Sequence, residues 1–105
     1  MVTREYAIST VKEFIKACSN SNIFFNKIIV FGSVAVGTTH SGSDIDVALI
    51  SDLFTGQPFT DWHLLSPINI RFPDIEPHPF STQYFKASDP FIDEIVRTGF
   101  EIKLD

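Results

Sequence analysis

The stretch KIIVFGSVAVGTTHSGSDIDVALI, residues 27–50, decides the fold of this 105-residue chain. It begins with residues 27–31, a lysine followed by a continuous apolar run, which is typical of a strand covered on both faces. The small, polar, glycine-punctuated residues 32–43 predict a loop, or a short helix with loops. Residues 44–50 predict a second strand. Its side chains alternate, so that one face carries Ile45, Val47 and Leu49 and the other carries Asp44, Asp46 and Ala48.

The residues before this stretch predict a helix, and those after it are harder to assign. Apolar residues spaced three and four apart predict an amphipathic helix over residues 3–19, with Thr3 as a candidate N-cap. Within residues 51–73, a helical turn is expected at residues 61–65. Pro67 is expected to interrupt that turn or to begin another one.

The C-terminal third of the chain predicts a strand, a helix and a short final strand. Residues 74–80 form the first of these strands, and two prolines place it at a sheet edge. A helix is expected over residues 90–98, with Asp89 as N-cap and Gly99 as the stop. Residues 100–104 then form a short strand. The predicted fold class is α/β (α+β), with a small mixed β-sheet flanked by helices.

Length and composition narrow the classes of protein and partner. The chain has room for one domain, residues 1–105, and eleven phenylalanines supply a large apolar core. A net charge of −5 disfavours nucleic acid as the main partner, because binding to a phosphate backbone relies on a basic surface. One nucleotide remains compatible, since a bound metal neutralises its charge locally. Abundant phenylalanine also suggests an exposed apolar surface for a protein partner or a homo-oligomer.

Cys18 is the one cysteine of the chain, so no intramolecular disulfide forms and a reducing compartment is the simpler expectation. It lies on the apolar face of the first predicted helix, where we expect a buried, inert thiol. No apolar run approaches the length needed to cross a membrane. These features predict a cytoplasmic protein without a membrane partner.

Two short motifs in the deciding stretch point to phosphate and metal chemistry. Gly32 and Ser33 follow the first strand, where backbone N–H groups of a tight turn and the serine hydroxyl suit a phosphate. Asp44 and Asp46, two residues apart on a strand, project from the same face. Paired carboxylates repel each other unless a cation lies between them, and Mg²⁺ prefers carboxylates together with substrate phosphates.

Further residues complete the predicted site. Phosphoryl-type transfer with two Mg²⁺ ions needs a third carboxylate, for which Glu76 is the candidate, both as a ligand and as the base for the incoming hydroxyl. His78 shares its strand face and either lines the site or is an ordinary half-buried histidine. Ser43 is counted with the nucleotide-binding residues because it would orient Asp44 through a local hydrogen bond. Trp62 is expected in the core rather than as a platform for a base.

The combination FGSVAVG and, ten residues after the Gly-Ser pair, SDIDVAL resembles the DNA polymerase β-like nucleotidyltransferase superfamily. The short length resembles its minimal nucleotidyltransferase (MNT) branch, and DEIVRTGFEIKL is similar to the last helix and strand of these domains. The resemblance implies the fold, Mg²⁺ dependence and nucleotidyl transfer from an NTP, with ATP expected. Gly32 and Ser33 match the family's phosphate-binding pair, and Asp44 and Asp46 match its metal-binding aspartates.

The resemblance also raises alternatives of function. Many relatives are antitoxins that transfer AMP to a tyrosine of a HEPN-domain partner, which makes such a partner the expected acceptor. This chain has Val34 and Val36 where the family often has arginines, which either weakens the affinity for an NTP or leaves the phosphate charge to Lys27, Arg71 or a partner. The alternative function is a catalytically weak, antitoxin-like domain that acts by protein–protein binding. Retention of both aspartates argues against that alternative.

Overall fold

The two strands predicted at the start of the deciding stretch and at its end form the centre of a four-stranded sheet. The structure is a computed structural model that describes residues 2–38 and 44–103. The strands are β1 (Lys27–Phe31), β2 (Ile45–Ser51), β3 (Ile75–Ser81) and β4 (Phe100–Glu101), in the spatial order β3-β2-β1-β4. β1 pairs antiparallel with β2 and β4, whereas β2 and β3 are parallel. The predicted class, a mixed sheet with flanking helices, is confirmed.

Helices cover both faces of this sheet, and the N-caps predicted for two of them are confirmed. The helices are α1 (Arg4–Asn20), α2 (Ser33–Val36), α3 (Pro58–Asn69), α4 (Thr82–Ala87) and α5 (Pro90–Thr98). The Thr3 side chain accepts a hydrogen bond from the Tyr6 N–H at the start of α1, and Asp89 accepts one from the Ile92 N–H at the start of α5. In the part of the chain that the structure describes, no helix combines the length and apolarity needed to span a membrane.

β4 is shorter than the predicted strand over residues 100–104, because only Phe100 and Glu101 are paired with β1. Two further elements differ from the sequence prediction. α3 is one continuous helix that includes Pro67, so the predicted interruption is wrong. Pro67 is exposed near the end of the helix, while the neighbouring Leu65 and Ile68 are buried in the core and hold the last turns in place. The second difference is α4, which was not predicted: none of its residues is buried, so it carries no apolar periodicity.

The sheet separates two apolar clusters, as the alternation of β2 predicts. Ile45, Val47 and Leu49 pack into the larger cluster, which is filled from α1 and α3. Ala48 and Ile50 face the smaller cluster with Ile95 of α5. The carboxylate of Asp46 belongs to this second face of β2.

Cys18 lies in the larger cluster and has no exposed surface. Burial raises the pKa of its thiol to about 12, so the thiol stays protonated at neutral pH. This agrees with the predicted inert cysteine.

β3 lies at an edge of the sheet, as its prolines predict. The Ile45 N–H donates to the Asp74 carbonyl, which puts the even-numbered residues of this strand in the ladder with β2. Pro77 and Pro79 therefore have their nitrogens on the outer side, where a missing N–H costs nothing. On that same side, the Asn69 side chain donates to the Ile75 carbonyl at 3.0 Å.

Candidate functional site

The turn after β1 packs directly against a carboxylate of β2. Phe31, the last residue of β1, is the register partner of Asp46. Gly32 follows with φ 75° and ψ −153°, a conformation that is essentially restricted to glycine. A Cβ at Gly32 would lie 2.3 Å from Asp46 Oδ2, so a side chain there would displace the carboxylate. Ser33 begins α2 at this point, and the turn and Asp46 thus form one site.

Glu76 and His78 join Asp46 from the neighbouring strand. Glu76 is the register partner of Asp46 in the parallel β2–β3 pair, and His78 lies two residues further along the same face of β3. One ligand atom from each of the three residues lies within 4.8 Å of the other two. His78 Nε2 is 3.2 Å from Asp46 Oδ1. Two carboxylates and an imidazole therefore converge.

Neighbouring carboxylates change the pKa of Glu76 in this cluster. The pKa of Glu76 is raised, first by a hydrogen bond with Asp46, then by partial burial and the negative charge of Asp46. Asp44 also raises the pKa of Glu76, whereas His78 lowers it. A proton shared between Glu76 and Asp46 relieves this repulsion, and a divalent cation would relieve it as well. Carboxylate oxygens are the ligands that such a cation prefers, so the donor chemistry fits a metal ion.

Aromatic rings fix the position of His78. Phe31 meets the imidazole edge-on, with ring centroids 4.9 Å apart. Phe91 of α5 contacts both rings, at 5.7 Å from Phe31 and 6.2 Å from His78. The imidazole is therefore packed into the structure on one side and directed at Asp46 on the other.

An open cleft of about 430 Å³ borders the cluster. It is lined by Asp44, Trp62, Asn69, Pro73, Ile75, Glu76, Pro77 and His78. A second, more apolar cleft of about 600 Å³ continues on the other side of Trp62, between α3, β3 and α4. Trp62 is 46% exposed, so its predicted place in the core is wrong. Helical spacing could not reveal this exposure, because a residue three positions before the buried Leu65 lies on nearly the same side of α3.

The predicted site residues are distributed unevenly over this geometry. Asp46 and Glu76 lie in the cluster, Gly32 packs against Asp46, and Ser33 follows Gly32 directly. Asp44 is exposed just before β2 and lines the cleft, but it is not part of the group of ligand atoms within 4.8 Å. Ser43 lies outside the described residues.

Two cations considered for the phosphate charge lie elsewhere. Lys27 pairs with Ile50, at the opposite end of β1 from the glycine turn. Arg71 lines a different cleft, next to Tyr6 and Asp74. Among the described residues that line the cleft at the cluster, none is a lysine or an arginine.

The comparisons with known proteins agree with this geometry. A family model of the nucleotidyltransferase domain matches residues 11–99. A protein from Sulfolobus solfataricus, assigned as a nucleotidyltransferase, has a crystal structure with a TM-score of 0.68 and 17% identity, covering 93% of this chain and 80% of that one. A toxin–antitoxin crystal structure with AMP-PNP has a TM-score of 0.60 and 21% identity, covering 90% of this chain and 70% of that one. No curated protein matches the chain significantly in sequence.

Proposed function

Because this chain belongs to the nucleotidyltransferase domain family, we propose that it transfers a nucleoside monophosphate from an NTP to a hydroxyl group. The observation that carries the proposal is the contact between the Gly32 turn and Asp46, next to Glu76. A phosphate-binding turn and metal-binding carboxylates have to lie side by side for one nucleotide to bridge them. ATP is the proposed nucleotide.

Asp44, Asp46 and Glu76 are the proposed ligands of Mg²⁺, with two ions in the complete site. A bound cation neutralises charge on the phosphates and on the leaving oxygen. Asp44 would join the other two carboxylates when the nucleotide is bound, since it lines the same cleft. Its present influence on the pKa of Glu76 supports its closeness to the site.

The chemistry is a displacement at the α-phosphorus of the NTP. The acceptor oxygen forms a bond to that phosphorus, the bond to the β-phosphate oxygen breaks, and pyrophosphate leaves. Glu76 takes the proton of the acceptor hydroxyl. Gly32 and Ser33 hold the phosphates through the turn, and Ser43 is proposed to orient Asp44.

The proposed acceptor is a tyrosine of a HEPN-domain protein, so the partner is a toxin and this chain its antitoxin. The fold resembles that of a toxin–antitoxin protein, which supports this class of partner. α3 and its C-cap residue also expose large apolar side chains that a partner would cover. They are Phe59, Trp62, Leu64 and Ile70, of which Ile70 is 81% exposed.

A second candidate function is neutralisation of the partner by binding, with little catalysis. The specific observation in its favour is the apolar composition of α2, which begins directly after Gly32. Val34 is buried and Val36 is exposed, in positions where relatives often carry arginines, and the described lining of the cleft offers no cation instead. The two functions share the partner and differ in whether a nucleotide is consumed.

Incubation with α-³²P-labelled NTPs, Mg²⁺ and the partner protein distinguishes the two functions. We expect labelled partner with the wild type and at least a 100-fold loss, on the order of that from removing a metal ligand, with Asp46→Asn. Asp52→Asn is the matched control, because Asp52 is exposed beyond the opposite end of β2. Label transfer that survives Asp46→Asn would disprove the proposed site. A partner neutralised without label transfer would favour the binding function.

A further inference from the structure

The cluster at the cleft contains a nitrogen donor among its oxygen donors. We propose that His78 is itself a metal ligand. With a nitrogen ligand, the site prefers a first-row transition-metal ion such as Mn²⁺ over Mg²⁺, and this preference is stronger than that of a site made of carboxylates alone. The inference rests on the proposed function only in taking Asp46 and Glu76 as metal ligands. Mg²⁺ takes oxygen ligands almost always, whereas an imidazole suits transition metals.

The spacing of the donors supports direct coordination. With metal–ligand bonds of about 2.1 Å, neighbouring ligands of an octahedral ion are about 3 Å apart. His78 Nε2 and Asp46 Oδ1 are separated by 3.2 Å, and Glu76 also offers a carboxylate oxygen within 4.8 Å of a ligand atom from each of these two residues. A cation between the three atoms therefore requires small side-chain adjustments rather than a new rotamer for the histidine.

Packing favours His78 as a ligand that is held ready. Phe31 and Phe91 contact the ring, which limits its rotation. The imidazole is 27% exposed and the Asp46 side chain 24%, so both remain accessible to an ion from solvent. In the absence of metal, the pair with His78 holds the Asp46 carboxylate in place.

The competing role for His78 is that of a positioning residue, which keeps its hydrogen bond to Asp46 and never contacts the ion. The two roles differ in one physical quantity, the magnetic coupling between a bound Mn²⁺ ion and the imidazole nitrogen. Only a directly bonded nitrogen gives a strong coupling. This quantity does not depend on activity.

Electron spin-echo spectroscopy of the protein with bound Mn²⁺ measures that coupling. Inorganic triphosphate replaces the nucleotide in this experiment, because it contains no nitrogen. We expect ¹⁴N modulation from a bound imidazole in the wild type and its loss in His78→Gln. The double variant His40→Gln/His63→Gln replaces the other two histidines of the chain and should keep the signal. Competition with Mg²⁺ measures the ratio of the affinities for Mn²⁺ and Mg²⁺, and we expect this ratio to fall by about tenfold in His78→Gln.

The possible failures are separable. Bound Mn²⁺ without nitrogen modulation would overturn the inference and leave the carboxylate site intact. Binding that is unchanged in Asp46→Ala would show that the ion lies elsewhere, which would overturn both the inference and the proposed metal site. Loss of modulation in the double variant, with His78 present, would assign the nitrogen to another histidine and also overturn the inference.

Discussion

Gly32 shows how one residue couples a backbone turn to the chemistry of the site. Its φ of 75° and ψ of −153° bring the backbone against Asp46, where there is no room for a Cβ. Gly37, at the other end of α2, also has a positive φ, but a Cβ added there would meet nothing within 4 Å. A substitution at Gly37 would therefore strain only the backbone, whereas a substitution at Gly32 would also displace the carboxylate of Asp46.

Gly32→Ala should weaken metal binding and destabilise the fold by about 1–3 kcal/mol, because the backbone is strained and Asp46 is pushed aside. Gly37→Ala should cost about 1–2 kcal/mol and leave the metal affinity unchanged. Calorimetric Mn²⁺ titration and urea unfolding of both variants measure the two effects. Equal metal affinities for the two variants would contradict the close packing of Gly32 on Asp46.

At the residue scale, the sequence predicted Asp46, Glu76 and the glycine turn as site residues, and the structure brings these together. It could not assign His78, because alternation along a strand gives only the face of a side chain. The strand pairing that puts His78 beside Asp46 joins residues 32 positions apart. That register depends on how β3 packs beside β2, which no local pattern encodes.

At the element scale, α5 begins with a carboxylate that is held by several donors. The pKa of Asp89 is lowered by a hydrogen bond from the Tyr84 hydroxyl and by backbone N–H groups, with Ile92 foremost among them. The same contact raises the pKa of Tyr84. A lowered pKa means that the charged form stabilises the folded state. This contribution is present above the pKa of the unfolded chain and is lost as the pH falls through the lowered value.

Asp89→Asn should therefore be less stable than the wild type at pH 7, and this difference should close as the pH falls below about 4, the ordinary value for Asp. Asparagine still caps the helix, so the variant isolates the charge. Asp89→Ala removes the cap as well and should remain less stable than Asp89→Asn at every pH. Urea unfolding between pH 7 and pH 3 measures both. A difference that widens on acidification would refute the assignment.

Pro67 is a local defect in α3 that tertiary packing tolerates. It has no N–H to donate to the carbonyl of His63, and its ring crowds the preceding turn. Because Pro67 is exposed, Pro67→Ala removes the defect without touching the core. We expect a gain of about 1–3 kcal/mol in the free energy of unfolding, measured with urea. A loss of stability would mean that the proline shapes α3 in a way that the core requires.

The contrast between α4 and α5 explains which elements the sequence predicts. α5 has a capping Asp89, a first-turn Pro90 and a terminal Gly99, all of which are local signals. α4 follows β3 without a loop, and its local signal is the N-cap Ser81, whose side chain accepts a hydrogen bond from the Tyr84 N–H. None of its residues is fully buried, so no apolar periodicity marks the rest of the helix. For Pro67 the local signal was present but misleading. Leu65 and Ile68 bury apolar surface, and the free energy of that burial outweighs the local cost of a proline inside the helix.

At the scale of the whole molecule, stability depends on the larger of the two apolar clusters. Phe14 of α1 has no exposed surface there and meets Phe72 edge-on, with ring centroids 5.5 Å apart. Phe59 of α3 is 74% exposed. Because both residues are phenylalanines, a difference in the free energy of unfolding between their alanine variants reflects the difference in burial.

Phe14→Ala should lower the free energy of unfolding by about 3–5 kcal/mol, a large share of the roughly 5–15 kcal/mol that holds a domain together. Phe59→Ala should change it by no more than about 0.5 kcal/mol. Urea unfolding of the two variants compares them directly. A comparable loss in Phe59→Ala would show that α3 is covered in solution, which would itself point to self-association.

The two outer strands, β3 and β4, limit the ways in which another protein chain can pair with this sheet. On one side, Pro77 and Pro79 remove two backbone donors and Asn69 already occupies a carbonyl. On the other side, β4 is only two residues long. Both outer strands therefore disfavour the addition of a further strand, which protects the described sheet from edge-to-edge aggregation. The proposed protein partner would therefore be recognised by side chains on helices and loops, where substitutions change partner specificity without disturbing the sheet.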